Sequence, residues 1–306
     1  AVWVGIIALA EHLPAIAEEL PMLPPTNLIG EPMARDTANA IATCSAILHE
    51  INPDTIMGVF TADHLIRPQD KFVEAVNRGY AAAEAHTKSL ITFGIRPTSA
   101  HTGMGYLERG EPVADGLWRV ASFKEKPDAA TAQRFVAAGH VWNSGMFVWR
   151  TSVILSAMER LLPASLAAAR KIASQWKSGL ALESAEQLYP TLEKISIDFA
   201  VMEKSPDVMM IEMPVEWFDV GNWSALSAIV PTDADGNTKT SSQVALLSSR
   251  DNVFVAEDDH LIAAIGVDNL IVVHSKDATL ICPRDQEQRV REMVAFLQKE
   301  HGDRYL

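Results

Sequence analysis

Residues 120–150 read VASFKEKPDAATAQRFVAAGHVWNSGMFVWR. The run from Val141 to Trp149 is apolar except at its start, where Asn143 and Ser144 stand. A run this apolar suits a strand buried on both faces of a layered α/β protein. The polar pair then marks where burial gives way to a pocket edge. Upstream, Lys124, Glu125 and Lys126 form a charged trio closed by Pro127, which ends its strand and sets the direction of exit. Glu125 is suited to accept from hydroxyl groups, and Lys126, a compact positive charge, to meet a phosphate. Residues 129–138, between the two features, have helical character. The same residues also suit a ligand-free surface turn followed by a core strand.

Working outward, composition bounds the answer. A chain of 306 residues implies one large or two smaller domains, and 48% apolar residues are ample for a core. A net charge of −13 argues against a sequence-independent grip on nucleic acid. Local convergence of a few Lys and Arg still allows a phosphate ligand. Cys44 and Cys282 are too few and too far apart for a metal or disulfide framework, which fits a reducing cytoplasm. The apolar opening, residues 1–10, lacks a basic flank and is too short to span a bilayer. No membrane partner is expected.

Strands are expected at residues 2–7, 27–30, 55–60 and 89–95, alternating with helices at 11–20, 38–50 and 69–85. Asp36 or Thr37 is placed to cap the second of these helices. This alternation predicts a mainly parallel α/β sheet covered on both faces, with ligands beyond the carboxyl ends of its strands. Residues 102–106 and 117–124 read as strands around a turn at Arg109, Gly110 and Glu111. Residues 151–176 are helical with a break at Pro163, and a second helical piece precedes Tyr189. Ser196 caps another helical segment, and residues 208–213 form a strand. Asp233 to Asn237 reads as a turn-rich linker, so domains are expected at 1–230 and 231–306. Beyond it, apolar runs at 244–247, 253–255, 261–265, 270–273 and 279–282 are separated by turn residues such as Asp251-Asn252 and Asp268-Asn269. They predict a small β-rich domain of imperfect coils or a sandwich. Residues 284–300 form an amphipathic helix with Val290, Met293, Val294 and Leu297 on one stripe.

The order F-x-E-K-P-D, a helix, then W-N-S-G-M-F resembles the sugar-1-phosphate nucleotidylyltransferases, in the form seen in mannose-1-phosphate guanylyltransferases. Further segments carry the resemblance. Glu31-Pro32-Met33-Ala34-Arg35-Asp36-Thr37-Ala38 is similar to E-P-x-G-R-N-T-A, and Thr61-Ala62-Asp63-His64 to P-A-D-H. Thr102 to Leu107 is similar to T-G-Y-G-Y-I, residues 196–204 to S-I-D-Y-A-V-M-E-K, and residues 216–223 to E-W-x-D-V-G-x-W. The resemblance implies a Rossmann-like nucleotidyltransferase domain and a small C-terminal left-handed β-helix-like unit. It implies nucleotidyl transfer from GTP to mannose 1-phosphate, giving GDP-mannose and pyrophosphate. Asp63 and Asp219 would together bind Mg²⁺, and Lys126 would hold the sugar phosphate. Glu125, Asn143, Gly105 and Asp198 would frame the sugar, with Asp198 equally suited to a capping and core role. The segment holding Glu31, Pro32, Arg35 and Thr37 would lie near the guanine, with Arg35 suited either to phosphate or to capping a network.

Three departures bear on these expectations. Ala34 stands for Gly, which costs backbone freedom if φ is positive there. Asp36 stands for Asn, which removes donors and adds negative charge near a polyphosphate. Nothing in residues 1–25 matches the Gly-rich loop, G-G-x-G-x-R-L-x-P-x-S, that cradles the triphosphate in the family. The expectation is that this loop precedes the residues given, and no isomerase domain is expected within them. The alternatives are a non-catalytic sugar-nucleotide-binding homologue and a nucleotidylyltransferase for another nucleotide or sugar. A homodimer is compatible with the acidic surface and the C-terminal β unit. The histidines are single and are read as solvated or structural, and the tryptophans as core.

Overall fold

The computed structural model describes residues 3–221, 223–241, 243–256 and 259–305. The chain divides into two compact units, Ala1–Thr61 with Arg67–Val215, and Ala62–Ile66 with Glu216–Leu306. Val2 and Asn222, the latter a candidate helix cap, lie outside the described residues.

The first unit opens with β1 (Ile6–Leu9), further along the apolar run than expected, then a 3₁₀ turn and helix α1 (Leu13–Glu19). β1 pairs in parallel with β2 (Leu28–Glu31), in register Ile6↔Leu28. Helix α2 (Asp36–Ile51) is buried along much of its length, with Ala38, Ala42 and Ala46 allowing close approach. Strand β3 (Ile56–Val59) follows, and β4 (His64–Arg67) pairs in the second unit. Helix α3 (Gln69–Ala85) has the expected bounds.

Strands β5 (Leu90–Ile95), β6 (Tyr106–Ala114) and β7 (Leu117–Lys124) come next, then α4 (Ala129–Ala137) and β8 (Val141–Arg150). The turn between β6 and β7 is at Asp115-Gly116, not at Arg109–Glu111 as expected, and Gly116 takes φ +62°. An Asp-Gly pair supplies the left-handed backbone that a tight hairpin needs, whereas Gly110 sits inside the strand among register shifts. Helices α5 (Thr151–Leu161) and α6 (Pro163–Ser174) break at Pro163, which is tolerated in the first turn of the second helix. Helices α7 (Ala181–Leu188) and α8 (Ile197–Ala200) lead to β9 (Val208–Met213).

The main sheet has six strands in the order β3-β8-β5-β9-β7-β6. It is mixed, but parallel pairing does not predominate within it: only β5–β9 is parallel. The reason is that β8 returns antiparallel and inserts between β3 and β5, while β6 and β7 form a hairpin. Phe147 and Trp149 of β8 stack at 5.1 Å and pack in one cluster with Ile47 of α2 and Met158 of α5. Each such side chain stabilises the fold by about 1.5–3 kcal/mol through burial.

In the second unit, β10 (Glu216–Asp219) pairs with β4 and leads to α9 (Leu226–Ile229). The coils follow as β11 (Thr238–Lys239), β12 (Val244–Leu247), β13 (Val253–Ala256), β14 (Ile262–Ile265), β15 (Leu270–His274) and β16 (Thr279–Pro283). β11, β13 and β15 form one parallel ladder and β12 with β14 another, as in a β-helix. β16 closes the first ladder antiparallel. Two buried asparagines tie successive coils together. Asn252 Nδ2 donates to Asn237 Oδ1 at 2.9 Å, and Asn252 Oδ1 accepts from Leu270 N–H at 2.9 Å.

The expected linker at Asp233–Asn237 is a structured turn of this unit, because Asp233 Oδ1 accepts from the N–H of Asn237 at 2.9 Å. A 3₁₀ turn then precedes α10 (Val290–His301). Its expected apolar stripe exists, yet Met293 and Val294 are exposed. Among the described residues, no helix is long and apolar enough to cross a membrane.

Candidate active site

The register of β8 against β5 explains the W-N-S-G-M-F stretch. Thr92 pairs with Phe147 and Gly94 with Asn143, so Phe93 alone faces Ser144, Gly145 and Met146. This is a β-bulge. Gly145 takes φ +70°, and a Cβ there would meet nothing within 4 Å, so backbone angle rather than space calls for glycine. Ser144 Oγ accepts from the N–H of Met146 at 3.2 Å, within the bulge.

The bulge sets Asn143 among the other residues expected to frame the sugar. Its Nδ2 donates to Asp198 Oδ1 at 2.8 Å, and its backbone N–H to Gly105 O at 2.8 Å. Glu125 is buried beside Gly105, where a Cβ would collide with its Oε2. Gly105 therefore supplies room for a carboxylate. Lys126 Nζ donates to Glu125 Oε1 at 2.9 Å and lies 5.7 Å from the centre of the Phe199 ring. Lys126 also takes φ +45°, an uncommon angle for a residue with a side chain. Burial and the neighbouring Glu125 charge push the Asp198 carboxyl up to about 7, against the hydrogen bond from Asn143. Gly105, Glu125, Lys126, Asn143 and Asp198 thus converge, offering a donor, acceptors and a half-exposed cation.

Segment 31–37 is anchored elsewhere within the first unit. Arg35 Nε donates to Tyr189 O at 2.9 Å and Nη2 to Pro190 O at 3.0 Å. Of the two expected roles, these bonds realise the capping of a network. Thr37 Oγ1 accepts from Ile197 N–H at 2.9 Å, tying the segment to the neighbour of Asp198 rather than capping α2. Asp36 Oδ1 accepts only from the adjacent Thr37 N–H at 2.8 Å, and α2 starts without a side-chain cap, so neither expected cap forms. The left-handed position is Asp36, at φ +62°, and not Ala34. Asp and Asn both tolerate that region, so neither departure from the family pattern strains the backbone. Glu31 ends β2 and is followed by half-buried Pro32. One Glu31 oxygen is buried without a hydrogen-bond partner, and burial raises the carboxyl pKa despite a bond from Tyr189.

Asp63 and Asp219 meet in the second unit. Val220 N–H donates to Asp63 O at 3.0 Å, and Gly221 N–H to Asp219 Oδ1 at 2.9 Å. A Cβ at Gly221 would lie 2.9 Å from Asp219 Oδ1 and 3.8 Å from Asp63 Oδ2. Both carboxylates therefore border one space that glycine leaves open. His64 Nδ1 accepts from Trp217 Nε1 at 3.1 Å, so the proton sits on Nε2, 3.9 Å from Asp63 Oδ1. Burial lowers the pKa of His64, against the charges of Asp63 and Asp219. Among the described residues, no three His, Cys, Asp or Glu side chains group to enclose a metal. Two carboxylates with open positions suit Mg²⁺, which keeps waters and takes phosphate oxygens.

One residue escapes the sequence reading. Thr92 is fully buried, and its hydroxyl donates to Asn143 Oδ1 at 2.7 Å. Its only sequence signal is a lone hydroxyl in the run Leu90–Ile95.

An α/β sheet bearing this polar cluster, followed in the chain by a β-helix-like unit, defines a class with known members. Residues 5–236 match the family model described as nucleotidyl transferase, and residues 243–297 that of the MannoseP isomerase/GMP-like beta-helix domain. The chain belongs to the nucleotidyl transferase family. It is 36% identical to the mannose-1-phosphate guanylyltransferase of Escherichia coli over 98% of its length, spanning 64% of that relative. It is 37% identical to the xanthan biosynthesis protein XanB of Xanthomonas campestris, over 95% of this chain and 62% of that one. A Thermus thermophilus crystal structure, described as a mannose-1-phosphate geranyltransferase, superposes with a TM-score of 0.79 at 30% identity. That match covers 95% of this chain and 83% of the other. The chain thus spans less than two thirds of the curated relatives.

Proposed function

We propose that the chain catalyses nucleotidyl transfer from GTP to α-D-mannose 1-phosphate in the cytoplasm. The observation that carries this reading is the convergence of Glu125, Lys126, Asn143 and Asp198 around Gly105. The names of the relatives support the sugar and the nucleotide.

In this reaction an oxygen of the sugar phosphate forms a bond to the α-phosphorus of GTP. The bond from that phosphorus to the bridging oxygen breaks, and pyrophosphate leaves with its electron pair. The attacking oxygen is already anionic, so positioning and charge neutralisation carry the rate. Lys126, with one N–H on Glu125, has further donors for the sugar phosphate. Glu125, Asn143 and Asp198 orient the hydroxyl-bearing ring, and Glu31 faces the base. Magnesium held by Asp63 and Asp219 would supply positive charge to the phosphates.

The test is pyrophosphate release with mannose 1-phosphate, Mg²⁺ and each of the four nucleoside triphosphates. Release with GTP well above the others is expected. Release led by another nucleotide overturns the base assignment. GDP-mannose binding without release from any nucleotide makes the chain a binding homologue.

A further inference from the structure

We infer that Thr92 is a positioning residue for the sugar-phosphate group, fixing which edge of the Asn143 amide faces Asp198. The inference rests on the reading of that cluster as the sugar site. Thr92 is the single polar side chain in Leu90–Ile95, a strand buried at every position. A hydroxyl there needs a partner, since an unpaired one costs about 1–3 kcal/mol. Both oxygens near it are acceptors only: Asn143 Oδ1 at 2.7 Å and the Met146 carbonyl at 3.2 Å. The hydroxyl must therefore donate, and the shorter contact takes its one proton.

That choice fixes Asn143. With Oδ1 held by Thr92, the amide NH₂ is turned to Asp198, where Nδ2 donates at 2.8 Å. Turned the other way, the amide would present its oxygen to Asp198 and lose that bond whenever the carboxyl is ionised. The bulge at Ser144–Met146 makes the arrangement, because it sets Asn143 opposite Gly94 and lets the amide reach back to Thr92. Thr92 is itself fully buried, so it acts through Asn143. The charged groups bearing on Asp198 are Glu125 and Lys126, and neither touches Thr92 in the hydrogen-bond network.

The test uses Thr92→Val, which keeps the shape and removes the hydroxyl, and Thr92→Ser, which keeps the hydroxyl. The first readout is the titration of the Asp198 carboxyl by carbon-detected NMR, which needs no substrate. The second is the Kd for mannose 1-phosphate by calorimetry, beside the KM for GTP. Thr92→Val is expected to raise the Asp198 pKa and weaken mannose 1-phosphate about tenfold, leaving GTP unchanged. Thr92→Ser is expected to restore both. An Asp198 titration unaltered by Thr92→Val overturns the inference, as does a serine variant that behaves like valine. If the native chain binds no sugar phosphate, the functional reading fails, and the titration still decides the role of Thr92.

Discussion

Gly105 and Glu125 occupy one space: the Oε2 of the glutamate sits where a Cβ on the glycine would project. Any side chain at 105 must displace a buried carboxylate that also holds Lys126. Gly105→Ala is expected to leave the hairpin folded, since position 105 precedes β6, and to weaken mannose 1-phosphate by about 1.5–3 kcal/mol, the range for hydrogen bonds to a charged group. Calorimetric titration checks this, and unchanged affinity would remove Glu125 from the sugar site.

Lys126 holds its charge in place at a backbone cost. A positive φ at a residue with a Cβ costs roughly 1–2 kcal/mol. Lys126→Gly is therefore expected to be more stable than Lys126→Ala by about 1 kcal/mol, part of the relief being offset by glycine's freedom in the unfolded chain. Both variants should bind sugar phosphate more weakly while nucleotide affinity changes less. Denaturant midpoints and paired binding curves separate the two effects.

The metal reading concentrates on Asp219. An asparagine there still offers an oxygen to the Gly221 N–H, so the local turn survives. Asp219→Asn is expected to keep the native unfolding midpoint and lose Mg²⁺-dependent turnover. Near-full activity in this variant would discard the carboxylate pair as the magnesium site.

Asp198 gives a pH signature with a definite sign. Its carboxyl is raised from 3.8 to about 7 in the folded chain by burial and by the charge of Glu125. Between those values the folded state keeps a proton that the unfolded state has lost. Its contribution to stability is thus full below about pH 4 and is lost as pH rises through about 7. Asp198→Asn should flatten this part of the profile. The check is the difference between native and variant urea midpoints across that window, and parallel profiles would refute the shifted carboxyl.

Much of this arrangement is legible in the residues. The bounds of α3 and β9 follow from apolar periodicity ending at turn residues, and the coil strands from apolar runs punctuated by Asp-Asn pairs. The hairpin turn is harder to place, because Gly110 draws attention from Asp115-Gly116, where the positive angle is needed. The cluster around Asn143 is legible as a family pattern. The bulge beneath it is not, since an unbroken apolar run carries no mark of backbone register. The pairing of Asp63 with Asp219 comes from the resemblance alone, because they lie far apart in the chain and meet only through β4 and β10. Thr92 goes unread because one threonine in a strand is ordinary, and its weight comes from what sits opposite.

The bulge in β8 has a modular character. Pairings Thr92↔Phe147 and Gly94↔Asn143 leave an even surplus of residues opposite Phe93. Side chains alternate with a period of two along a strand, so an even surplus returns the chain to the same facing on either side. Removing Ser144 and Gly145 together would close the ladder into a plain strand, with every core side chain still pointing inward. The ligand-facing feature is thus an in-phase loop-out of an otherwise regular scaffold, a detour the fold can carry or drop without renegotiating its interior.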